Sequence, residues 1–398
     1  MQVRSISRRW GLQPPPRPLV ASRASAPEGN LLTLTGNRSA TDGSGSGLLR
    51  QAVKTYLLAC TFGCALLCCL AGCKQKSIYT ASATVDEKSV AANAAKDAPF
   101  MSAVTTAPPP PQAQVSPADQ APLPDKTGGF DGTRAYAHVA KQVSFGPRPS
   151  GSPAIAQLQD YLLAELKSYG CTTDVDSFTS DTPSGRIAMK NILVKIPGTQ
   201  PGIILLGTHY DTKRLPNFVG ADDAGSSTAV MLELARLLCS QHGRYAVWIA
   251  FFDGEEAVRE QWEDPDNCYG SREMAARFAL SGDIPKIKAF LLADIVGTKT
   301  PHFKRESYST KSLVDLVWSV AKRLGYGNIF LDASAPIEDD HQSFLKRHVP
   351  SADVIDLDTT NDVPYWHTPQ DTLDKISPKT LAITGHVFLE SVKQLQSR

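Results

Sequence analysis

From about residue 133 to the end of the chain, apolar residues recur in two distinct periods. Between 154 and 166, Ile155, Leu158, Tyr161, Leu162 and Leu166 share one face at helical spacing, the mark of an amphipathic helix. Similar spacing predicts helices over 227–238, 312–324 and 378–395, the last opening on Pro378, which suits a first turn because its missing N–H would be unpaired there. Short apolar runs at 191–196, 203–206, 245–252, 288–293 and 354–357, bounded by turn or polar residues, read as strands. Strands alternating with helices predict an α/β fold, a three-layer α/β/α sandwich on a mostly parallel central sheet. In such sheets ligands sit beyond the carboxyl ends of the strands.

The first 130 residues are different: rich in Ser, Ala, Pro, Gly and Gln, with little to bury. One apolar tract interrupts them at 56–72, uncharged and preceded by Arg50 and Lys54. That length only marginally crosses a bilayer core of about 30 Å and suits a secretory signal. The tract closes on Leu70-Ala71-Gly72-Cys73, which resembles the lipobox of bacterial lipoproteins. The resemblance implies lipidation at Cys73 and a mature chain starting there, attached to the bacterial cell envelope with its folded part in the periplasm; Lys74, where Asp would signal retention, points to the outer membrane. The expected organisation is therefore a disordered lead at 1–49, with translation starting near Leu48 or Val53, then a lipoprotein signal at 50–73. A disordered Ala/Pro-rich tether at 74–128 and a catalytic domain at 129–398 follow.

Charge excludes one class of partner. With 41 basic and 40 acidic residues, and no Lys/Arg block interleaved with aromatics, the chain lacks the positive field a nucleic-acid surface needs. Five of the eight cysteines fall in or beside the apolar tract, leaving Cys171, Cys239 and Cys268. At most one disulfide can form among these three. None is in a CxxC, which removes thiolate-zinc and thioredoxin-like readings.

The candidate chemistry follows the strand ends. After 203–206 comes Gly207-Thr208-His209-Tyr210-Asp211, and a loop later Gly220-Ala221-Asp222-Asp223 precedes a helix. After 245–252 comes Asp253-Gly254-Glu255-Glu256, and after 288–293 comes Asp294. Ile337-Glu338-Asp339-Asp340-His341 and Trp366-His367 approach from the last quarter. Oxygen and imidazole donors without cysteine suit a catalytic zinc site rather than magnesium. Adjacent Glu255 and Glu256 point in different directions, so one can bind metal while the other carries protons. By contrast, His242, His302, His348 and His386 read as surface or satisfied histidines, and Asp358 and Asp362 as solvated loop charges. The glycines of 146–151 follow no strand and precede no GK[ST], so they are not a phosphate cradle.

Taken in order and spacing, these tracts resemble the zinc aminopeptidase clan and, within it, the glutaminyl-peptide cyclotransferases. The features closest to the cyclases are Phe251-Phe252-Asp253-Gly254-Glu255-Glu256-Ala257, Trp262, Tyr269-Gly270-Ser271-Arg272, the 337–341 tract and Trp366 before His367. The resemblance implies one Zn2+ held by Asp223, Glu256 and His367. It implies Glu255 as general acid/base, Asp294 and Asp339 as supporting carboxylates, and Trp262 and Trp366 as walls of a pocket for the N-terminal Gln of peptides, in a monomer. Crowding of Glu255 by Asp294 and Asp339 is expected to raise its pKa. Thr208 and Thr228 stand where the animal enzymes carry a disulfide. Two rivals remain at this level: an aminopeptidase in which His209 and Asp294 hold a second zinc bridged by Asp223, and a noncatalytic peptide-binding lipoprotein.

Overall fold

The computed structural model describes residues 115–398; the 1–49 lead, the signal tract with Cys73 and the tether up to residue 114 lie outside the described residues. In chain order the elements are α1 (Gly132–Val143), α2 (Pro153–Ser168), β1 (Thr173–Thr182), β2 (Gly185–Ile196), β3 (Ile203–His209), α3 (Gly225–Leu238) and β4 (Ala246–Phe252). They continue through α4 (Tyr269–Leu280), β5 (Ile287–Asp294), β6 (Phe303–Glu306), α5 (Lys311–Arg323), β7 (Phe330–Ala335), α6 (His341–Leu345), β8 (Ser351–Ile355) and α7 (Pro378–Gln396). Among the described residues no helix is long and apolar enough to cross a membrane.

Local chemistry sets the helix starts. Asp131 accepts hydrogen bonds from the N–H groups of Thr133 and Arg134 ahead of α1, and Ser152 and Ser377 cap α2 and α7, each followed by proline. Such caps pair N–H groups that a helix cannot pair internally.

Six strands form the central sheet in the order β1-β2-β4-β3-β5-β8. Pairs β4–β3, β3–β5 and β5–β8 are parallel, while β1–β2 and β2–β4 are antiparallel. Alternate residues face opposite layers, as the pleat requires. Ile204, Leu206, Ile249, Phe251, Leu291 and Ala293 pack with α1, α2, α3, α5 and α7. Leu205, Ala250, Phe252, Phe290 and Leu292 pack with Met274 and Phe278 of α4 and Phe344 of α6. The three-layer sandwich is thus present, with one helical layer much heavier than the other.

Pattern reading missed some elements. β1 reads Thr-Asp-Val-Asp-Ser-Phe-Thr-Ser-Asp-Thr and is mostly exposed, so as an edge strand it carries no apolar period. Residues 115–128, which composition placed in the tether, contain the turns Pro117–Asp119 and Pro124–Lys126, and Thr127 is fully buried. Asp362, expected to be solvated, is buried, with its carboxylate 2.8 Å from His302 Nδ1 and its carbonyl accepting from Thr298 Oγ1. Asp358 pairs with Lys304 at 3.0 Å. The expected satisfied or surface histidines include His386, whose Nδ1 is 3.1 Å from Tyr326 OH, and the exposed His242, His302 and His348.

One disulfide, Cys171–Cys239, closes a separation of 68 residues and ties the chain after α2 to the end of α3. Loop-closure entropy for such a span corresponds to about 4 kcal/mol. Cys171→Ser should therefore lower unfolding stability by about that amount in denaturant titrations, and added reductant should remove stability from the native chain but not from the variant.

Candidate active site

Four strand-end segments deliver the site. β3 ends on His209, β4 runs into Asp253-Gly254-Glu255-Glu256, β5 ends on Asp294, and the loop before α3 brings Asp223. The positions come from backbone constraints as much as from the strands. Gly220 lies at φ 49°, where a Cβ would come within 2.0 Å of the Asp223 carbonyl oxygen, so the loop can fold there only without a side chain. His367 is also left-handed at φ 52°, a strained backbone of the kind that persists where surrounding structure enforces it.

Asp223 stands between two groups of donor atoms. Its Oδ1 is 3.3 Å from His209 Nε2, which is 3.0 Å from Asp294 Oδ1. Its Oδ2 is 3.3 Å from His367 Nε2, which is 3.2 Å from Glu256 Oε1. Each triad, His209/Asp223/Asp294 and Asp223/Glu256/His367, offers three ligand atoms within 4.8 Å of one another. Glu255 turns away from the second triad, with Oε2 3.9 Å from His209 Nδ1. The two neighbouring glutamates therefore divide their directions as the sequence suggested.

The electrostatics are those of a site that wants positive charge. Burial alone would lower the pKa of both imidazoles, yet the carboxylates prevail: Asp294 and Glu255 hold His209 well above its usual range, and Glu256 and Asp223 push His367 up to about 9. Burial would raise Asp223, but His209 and His367 pull it far below the ordinary carboxylate range. Glu255, Asp294 and Asp339 are all shifted upward, chiefly by burial. For Glu255 the charges that add to burial are Asp339, Glu256 and Asp340. Asp294, expected to crowd it, is instead engaged by His209. The donor set fits zinc: two buried carboxylates and an imidazole, no thiolate, and a Glu256 Oε2 that has no hydrogen-bond partner.

Above the triads lies a cavity of about 320 Å³, whose wall includes Trp262, Trp366, Ile295, Ile337, Ile355 and Leu357 and whose floor includes Asp223, Glu255, Glu256, Asp294, Asp339 and His367. Trp366 stacks on the His367 ring, centroids 3.8 Å apart. Every site residue expected from the sequence in the described part of the chain is thus gathered here; His209 lies beneath, almost fully buried.

Other members carried weaker signals or none. Lys213 lines the cavity with Nζ 3.5 Å from Glu256 Oε2, although nothing in its local sequence marks it. Asp211 accepts the N–H of Glu255 at 3.1 Å and of Glu256 at 3.4 Å. Asp371 does the same for Asp222 and Asp223, at 2.8 and 3.1 Å. Thr208 and Thr228, which stand where the resemblance places a disulfide in the animal enzymes, both donate to the His209 carbonyl at 2.8 Å, so hydroxyls hold that strand end.

The model of Peptidase family M28 matches residues 191–392. The glutaminyl-peptide cyclotransferase-like protein of Mus musculus is 32% identical over 265 residues, 59% of this chain and 68% of that protein. The crystal structure of Acidobacteriales bacterium glutaminyl cyclase is similar with a TM-score of 0.64 at 39% identity, covering 72% of this chain and 100% of that one. A Zn-dependent exopeptidase from Parabacteroides distasonis is similar with a TM-score of 0.60 at 30% identity, covering 66% and 97%. With the family pattern spanning half the chain and running through the strands and loops that build the site, the chain belongs to peptidase family M28, among its glutaminyl cyclases.

Proposed function

We propose that this chain is a glutaminyl-peptide cyclotransferase, converting the N-terminal Gln of peptides or proteins to pyroglutamate with release of ammonia. The observation that carries this reading is the cavity itself: an indole-walled pocket with buried Glu255, Asp294 and Asp339 at its base beside the Asp223/Glu256/His367 triad. Similarity to glutaminyl cyclases supports it. An N-terminal Gln already carries both reacting groups, its α-amine and its γ-carboxamide. The protein has only to fold the side chain, remove a proton from one end and supply it to the other.

Asp223, Glu256 and His367 would hold one zinc ion, which supplies Lewis-acid polarisation of the γ-carbonyl. The α-ammonium gives up one proton to solvent to become the attacking amine, and Glu255 takes a second from that nitrogen as the ring closes and delivers it to the departing nitrogen; a carboxyl kept high by burial is suited to both halves of that exchange. The C–N bond of the carboxamide breaks as the ring C–N bond forms, and ammonia leaves. Asp294 and Asp339 support Glu255, and Trp262 and Trp366 keep water from competing with the internal amine.

A specific observation favours a second reading. His209, Asp223 and Asp294 form a triad as tight as the first, which in a two-zinc aminopeptidase would hold the second ion, with Glu255 activating water. The cyclase reading is preferred because Asp339 and the indoles have no task in holding a water nucleophile. Beyond the described residues, lipidation at Cys73 and attachment to a bacterial envelope remain part of the proposal, resting on the tract before Cys73.

Incubation with Gln-initiated and Leu-initiated peptides should yield ammonia and pyroglutamyl product from the first and no free leucine from the second, with one zinc per chain; free leucine with two zincs would reverse the assignment. Glu255→Gln should cut kcat about a hundred- to ten-thousand-fold while metal analysis still finds zinc. Asp371→Asn, which sets an amide against the Asp222 or Asp223 N–H, should weaken zinc binding about tenfold or more in competition with a chromogenic chelator.

A further inference from the structure

Behind the cavity wall lies a carboxylate that the reaction above does not use. Glu306 closes β6 and is 2% exposed. Its Oε1 accepts hydrogen bonds from the N–H of Tyr308 at 2.8 Å and of Ile337 at 3.1 Å, and its Oε2 accepts from the N–H of Ser309 at 2.6 Å. His341 Nε2 stands 3.1 Å from the same Oε2, and both side chains are completely removed from solvent. Burial would raise the Glu306 carboxyl, yet the His341 ring and these backbone donors hold it down at about 2. It is a fixed buried anion.

Two of its partners, Ile337 and His341, lie two residues before and two residues after Asp339. Glu306 thus meets both ends of the segment whose centre is Asp339, by a hydrogen bond from the Ile337 N–H at one end and by the 3.1 Å contact with His341 Nε2, a ring whose nitrogens make no hydrogen bond, at the other. Within that segment Ile337 and Asp339 line the cavity, and Asp339 Oδ2 is buried without a hydrogen-bond partner. Its other oxygen, Oδ1, accepts only the N–H of the next residue, Asp340, so the hydrogen bond that fixes the carboxylate ties it to its own backbone and to no other segment. Its aim must come from the backbone that carries it, and that backbone is secured by Glu306.

We infer that Glu306 and His341 are positioning residues for the cyclisation: Glu306 clamps the Ile337–His341 segment, and His341 secures the end of it that aims Asp339 at Glu255. This rests on the proposed cyclase reading. The two ends of the clamp have separable effects. Loss of the His341 end releases Asp339 and lowers turnover. Loss of the Glu306 charge also frees Ile337, a wall residue, and weakens substrate binding as well. Gln at position 306 would be no mimic, because either of its orientations puts an NH2 group against a backbone N–H.

The test measures kcat and KM for a Gln-initiated dipeptide, with zinc content and circular dichroism recorded on every variant. His341→Leu should lose at least tenfold in kcat, with KM within twofold of the native value and zinc retained. His341→Gln, whose amide nitrogen can occupy the place of Nε2, should recover most of that loss. Glu306→Gln should lower kcat and raise KM together. His341→Leu turning over within twofold of the native chain, or His341→Gln being no better than His341→Leu, would overturn the inference. Should His341→Leu not fold, His341→Gln is compared with His341→Asn, whose shorter amide cannot reach Glu306; equal activity of those two would likewise overturn it. A native chain that releases no ammonia refutes the cyclase reading itself, an outcome read before any variant.

Discussion

A carboxylate withdrawn from water is stable only where hydrogen-bond donors or positive charge compensate it. This protein collects such groups around one point. Asp223 shares its oxygens between His209 and His367, and Glu255, Glu256, Asp294 and Asp339 crowd in around it, all nearly removed from solvent. The cost of that concentration explains the local electrostatics: imidazoles driven toward their charged form, and several carboxyls driven toward their neutral one. A cation at Asp223 and a proton at Glu255 would each answer the same need.

Holding such a cluster together requires the loops that carry it to be stiff. The fold does this repeatedly with a second set of buried or nearly buried acids that accept pairs of backbone N–H groups. Asp211 fastens the backbone of Glu255 and Glu256, Asp371 that of Asp222 and Asp223, and Asp266 that of Val258 and Arg259 on the approach to Trp262. Glu306 belongs to the same pattern on the opposite wall. In each case a side chain from one part of the chain satisfies donors that a loop cannot pair for itself, so the active groups are placed by backbone anchoring as well as by contacts of their own.

The sandwich supplies the platform. Parallel strands β3, β4 and β5 end at the same level, where register places His209 opposite Phe252, so loops distant in sequence open side by side. The heavier helical layer buries one face of the sheet, and α4 and α6 cover the other with an aromatic cluster around Phe344. α6 thereby joins the packing of the second face to the segment that carries Asp339 and His341.

Much of this was legible in the residues alone. Apolar runs such as 203–206 and 288–293 read as strands because fully buried strands need uninterrupted apolar side chains, and acids or histidines directly after them marked the site. Asp223, Glu255, Glu256, Asp294, Asp339, His367 and both indoles were named from their tracts, and the structure gathers them at one cavity. The hairpin strand β1 was not legible, because an exposed edge has no hydrophobic period to display. Lys213 and Glu306 were not singled out either, since a lone lysine or acid looks the same in sequence whether it is solvated or buried. Sequence determined which elements form and which side chains can do chemistry, because both are set by local composition and period. Only the tertiary structure decided that Asp223 serves two triads at once and that buried acids clamp the site loops, because those depend on distances between segments far apart in the chain.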